Sequence, residues 1–110
     1  FLTFLIHVIL GGKDALAPML ASGLPAAAEG AMHACWHMIS FLLFWSAIVF
    51  WRGGKPAFHF GVLWLASALV FIYVALTQLG AQGLLVHPQW TILGLTGALV
   101  VWTHRTRETV

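Results

Sequence analysis

Charge is what this sequence most lacks. Five Lys or Arg and three Asp or Glu make up 7% of its 110 residues, against roughly 25% in a soluble globular domain. So few ionised groups cannot cover the surface of a water-soluble protein of this length. The formal net charge is +2, and the basic residues are dispersed, which excludes the clustered basic face that nucleic acid requires. A single cysteine, Cys35, excludes an intrachain disulfide. Catalytic motifs are also missing. No Lys-Ser or Lys-Thr follows Gly11-Gly12, so there is no phosphate-binding loop, and no Glu follows His33, so the H-E-x-x-H zinc-protease motif is absent. Ser40 and Ser46 have no partner pattern of a nucleophile. A charged n-region and a cleavage site, the marks of a secretory signal, are not found either.

What the chain has in abundance is apolar residues, 61% of the total. Lipid must therefore solvate much of its surface, and the expected class is an all-α integral membrane protein forming a single polytopic membrane domain over residues 1–110. The apolar runs predict a bundle of four transmembrane helices, with spans at about residues 1–10, 26–51, 58–79 and 88–104. The first is incomplete. Ten helical residues rise only about 15 Å, half the hydrocarbon thickness, and Gly11-Gly12 reads as a helix end, so the missing length is expected upstream of Phe1. Asp14 can cap a short helix over residues 15–21, lying in the membrane interface before Gly23 and Pro25, or the stretch is an irregular loop. Arg52-Gly53-Gly54-Lys55-Pro56 marks a turn. Gly94 and Ala98 form a small-xxx-small pair where helix backbones can approach closely.

Four spans place Arg52, Lys55, Arg105 and Arg107 on one side, four of the five basic residues. The positive-inside rule makes that side cytoplasmic, with both termini inside, as expected for a bacterial inner membrane. Trp51, Trp90 and Trp102 fall near span ends, where interfacial aromatics gather.

The span over residues 26–51 carries the only polar stripe. Glu29, His33 and His37 recur at i, i+4 and i+8, on one helix face with Trp36, Ser40 and Phe44. Cys35 lies on the opposite face. With residues 40 and 41 at the membrane centre, His37 stands ~5 Å and His33 ~11 Å outward, and His7 comes out ~9 Å below the outer surface, nearly level with His33. His87 starts the fourth span on the same outer side.

Three readings of this constellation remain open. In the first, a transition metal is bound by His7, His33 and His37, with Glu29 or His87 as a further ligand or as a hydrogen-bonding support. In the second, haem b is held between helices by His7 with His33 or His37, and a second haem by His59 and His104. In the third, the histidines and Glu29 hydrogen-bond one another, Glu29 with His33 at i,i+4, without any cofactor. Gln78 and Gln82 sit at the outer end of the third span and serve either to line a site or to wet the interface. The leading functional expectation is non-catalytic: an accessory subunit of a membrane complex, or a homo-oligomer, whose partners are the lipid bilayer and other membrane subunits or itself. The alternative is a redox or metal-handling protein using the outward histidine cluster.

Overall fold

The computed structural model describes residues 1–108, apart from the side chains of Arg105, Arg107 and Glu108. The described residues are helical with short connections and contain no strand. There are four helices: α1 (Leu2–Leu20), α2 (Ala26–Arg52), α3 (Gly54–Leu79) and α4 (Gln89–Glu108). A 3₁₀ turn over Gly80–Gln82 and a helical turn over Gly83–Val86 lead from α3 towards α4. Among the described residues, three stretches are long and apolar enough to cross a membrane: Leu2–Leu20, Ala26–Arg52 and Gly54–Val86. The chain is an all-helical membrane protein on that evidence of length and composition. It divides into two compact units, one of Phe1–Ile48 and the other from Val49 onward.

The first helix corrects the reading of Gly11-Gly12. Those glycines do not end it. The backbone runs through them with i→i+5 hydrogen bonding, a π-helix over His7–Leu16, between ordinary helical turns at Leu2–Ile6 and Ala17–Leu20. A glycine inside a helix costs about 1 kcal/mol relative to alanine. A break within the hydrocarbon would instead strand N–H and C=O groups, each at several kcal/mol, so the helix continues. Residues 11–20 extend the helix to a length sufficient to cross a membrane. The separate interfacial helix expected over residues 15–21 is the end of α1. Ser22 Oγ then donates to the Met19 carbonyl at 2.5 Å. Gly23 turns the chain at φ 70°, and the Pro25 carbonyl accepts the amides of Ala28 and Glu29 to open α2.

Within the first unit, α1 meets α2 through rings. Phe4 packs edge-on against Phe44 at 5.5 Å and Phe1 against the same ring at 6.4 Å. His7 stacks on Trp36 at 4.0 Å. No residue of α1 is fully buried, so this contact is a seam of a few rings, not a packed core.

The second unit is denser. Gly53 and Gly54, at φ 73° and 74°, make the sharp turn out of α2 that side chains would resist. α3 then buries Ala57, Gly61, Trp64, Ala68 and Ala75 along one face, against α4 running back beside it. At Gly97 a Cβ would lie 2.7 Å from the Gly61 carbonyl oxygen, so the two backbones touch there. Gly94 faces the Ala68 methyl. Phe58 near the start of α3 meets His104 near the end of α4, ring centres 5.1 Å apart. The small residues that meet are therefore Gly94 and Gly97. Ala98, the expected partner of Gly94, is exposed. Trp64 closes the unit against Phe50, ring centres 5.3 Å apart.

Candidate functional site: the histidine face of α2

A helix brings residues four apart onto one face, and α2 uses this twice. His33 and His37 turn towards each other, with their Nε2 atoms 3.1 Å apart and their ring centres 4.8 Å apart. One Nε2–H donates to the lone pair of the other, so the accepting ring carries its proton on Nδ1. One turn away, Ser40 Oγ donates to the Trp36 carbonyl at 2.9 Å. The same carbonyl is approached by His7 Nε2 at 3.4 Å. A carbonyl only accepts, so this Nε2 carries the proton.

His7 is positioned by α1. Its imidazole lies almost parallel to the Trp36 indole, 20° between planes. Gly11, four residues on, lets the backbone come under the same indole, since a Cβ there would stand 2.9 Å from the ring edge. His7 and Gly11 together form a shallow cradle for Trp36. The estimate from sequence set His7 level with His33, but its ring lies beside Trp36, nearly a full turn further along α2.

The five metal candidates are thus only partly gathered. His33 and His37 are together. His7 has turned its Nε2 to the Trp36 carbonyl. Glu29, one turn before His33, is half-exposed, and no ion pair joins it to His33 among the described residues. His87 belongs to the second unit, where its amide bonds the Gly83 carbonyl at 2.8 Å. Among the described residues, no three His, Cys, Asp or Glu side chains converge as a metal ion would need. For haem, the Nε2 atoms of His7 and His37 are directed to different partners, Trp36 and His33, and not to a common iron. His59 Nδ1 bonds the Lys55 carbonyl at 2.8 Å, and the His104 ring lies against Phe58.

Trp36 and Gly11 are the site residues that sequence reasoning did not assign a role. The signal was present: His7 and Gly11 are spaced i,i+4, and Trp36 lies on the histidine face of its own helix. Beside His37, the residues Ala34, Met38, Phe41 and Leu42 line an open apolar depression. His37, Met38 and Phe41 are exposed, Met38 and Phe41 at 63% each, so this face of α2 combines lipid-like side chains with a hydrogen-bonded imidazole pair.

No protein-family profile matches this chain, and no match is found among curated proteins or solved structures.

Proposed function

We propose that the chain is a small non-catalytic protein of the bacterial inner membrane that acts by packing against other membrane subunits or against copies of itself. The observation that supports this reading is the exposed face of α2. Two imidazoles stand on a helix apolar enough to cross the membrane, flanked by Met38, Phe41 and Leu42. Polar groups turned to lipid are unfavourable, and intramembrane ionisable residues face protein or water as a rule. A protein neighbour would cover both parts of the face; lipid suits only the apolar part.

We further infer a single polytopic domain with four crossing helices and both termini cytoplasmic. α4 falls short of a span by composition, but it lies antiparallel along α3, from Gly94 against Ala68 to His104 against Phe58. A helix shielded by protein on one side needs fewer apolar residues to sit in the bilayer. Four crossings gather Arg52, Lys55, Arg105 and Arg107 on one side, as the positive-inside rule asks.

Purification in a mild detergent tests the association. The expected result is a stoichiometric partner or a homo-oligomer, and a clean monomer that brings nothing with it would overturn the reading.

A further inference from the structure

We propose that His33 and His37 form one half of a zinc site, completed by the same two histidines of a second copy of this chain. The proposal rests on the reading of the chain as an associating membrane protein and deepens it by naming the partner and the ion that joins them.

The geometry of the pair carries the argument. In a tetrahedral zinc site with Zn–N bonds of 2.0–2.1 Å, neighbouring ligand nitrogens stand about 3.3 Å apart. The two Nε2 atoms are 3.1 Å apart, so a movement of a few tenths of an ångström turns a hydrogen-bonded pair into a chelating one. The acceptor ring already offers its Nε2 lone pair and carries its proton on Nδ1. The donor ring gives up its Nε2 proton, to its own Nδ1 when it is neutral or to water when it is an imidazolium, and both neutral imidazoles then present Nε2 to the ion. Imidazole nitrogen is a ligand well matched to zinc.

Two ligands leave a structural zinc site half filled, since such sites are almost always four-coordinate. The chain itself does not complete it: among the described residues no third His, Cys, Asp or Glu joins the pair. A two-fold axis through the ion would bring up the same pair from a second chain and give four imidazoles, an isologous contact in which each copy presents the same patch. The surface beside the pair suits that approach. Ala34, one turn before Met38, is small enough for a neighbouring helix backbone to come close, and Met38, Phe41 and Leu42 flank the depression with side chains that bury well against their own copies. Cys35 lies on the far face of α2 and does not compete for the ion.

The test uses the full chain, purified in mild detergent after treatment with a chelator, then titrated with zinc chloride. The expected result is a doubling of the protein mass with one zinc bound per two chains. His33→Ala and His37→Ala should each lose the zinc-dependent doubling while keeping the helical circular-dichroism signal, and Cys35→Ser should retain it. His37→Gln, which keeps a polar side chain at this exposed position, gives the same loss if alanine disturbs folding. One zinc per chain with no change in mass would overturn the proposal, as would doubling that survives in the histidine variants. A dimer, or a complex with another protein, that forms equally without zinc overturns the metal bridge and leaves the association reading intact. A chain that stays monomeric and partnerless with and without zinc overturns both.

Discussion

Trp36 ties the first unit together through one residue. Its indole is covered by His7 and Gly11, and its carbonyl accepts from Ser40 and His7. The stack should matter more than the hydrogen bond. Stacked ring pairs contribute about 0.5–1.5 kcal/mol beyond the area they bury, whereas a contact at 3.4 Å lies at the long end for an N–H donor. His7→Ala is therefore expected to lower the unfolding free energy by about 1 kcal/mol, and His7→Phe, which keeps a flat ring over the indole, to lower it much less. Denaturant unfolding in detergent measures both. Equal losses in the two variants would show that the hydrogen bond, not the stack, holds the contact. At this scale the sequence made the residues legible but not their pairing. Glu29, His33, His37 and Trp36 fall on one face by spacing alone. The depth assigned to His7 came from ending α1 at Gly11, which put the membrane surface there. The helix instead runs on to Leu20, and His7 meets Trp36.

Between elements, α3 and α4 show how small residues replace a large apolar core. Gly61 and Gly97 lie back to back, and an added methyl at Gly97 would press on the Gly61 carbonyl oxygen at 2.7 Å and the Leu65 amide nitrogen at 2.9 Å. These are backbone atoms, so relief requires the helices to separate. An added methyl at Gly94 meets only the Ala68 Cβ at 3.6 Å, an ordinary contact. Gly97→Ala should thus destabilise the chain by about 1–3 kcal/mol, the usual penalty of overpacking. Gly94→Ala should be neutral or slightly stabilising, because alanine is favoured over glycine by up to about 1 kcal/mol in a helix. Unfolding of the two variants side by side checks the order, and a Gly94→Ala loss as large as that of Gly97→Ala would contradict this account of the interface. The sequence advertised a small-residue contact on α4 but placed it at Gly94 and Ala98. An i,i+4 rule locates a groove on one helix; which of its neighbours lies at the bottom depends on where Gly61 of the opposite helix falls, and that register is not written in α4. Helix existence was legible throughout, because apolar runs of this length leave no alternative in lipid. The ends at Arg52 and Leu79 were legible too; the end of α1 was not, because the same lipid penalises a break that glycine would allow in water.

For the whole molecule, the open quantity is how many times the chain crosses the bilayer, and the two units bear on it differently. Leu2–Leu20 and Ala26–Arg52 are long and apolar enough to cross; on the proposed topology each crosses once and Gly23 and Gly53 fall on opposite sides. Gly54–Val86 is also sufficient, and on the same proposal a third crossing returns Gln82 to the side of Gly23. Only α4 is undecided by composition. If packing governs, its end at His104 follows Phe58 to the side of Gly54, and the basic residues of the turn and the tail share the cytoplasm. If composition governs, α4 stays out, and Arg105 and Arg107 lie opposite Arg52 and Lys55, against the positive-inside tendency. Single cysteines in a Cys35→Ser background separate these cases in intact cells. A cysteine at Gln82 is expected to react with an impermeant reagent from outside, whereas cysteines at Gly54 and Thr106 should react only after the membrane is opened. One at Gly12, within the continuous first helix, should resist labelling in both conditions. Labelling of Thr106 together with Gln82 in intact cells would reduce the crossings to three. Labelling of Gly54 without Gln82 would invert the orientation, and ready labelling at Gly12 would restore a break between two short helices in place of α1.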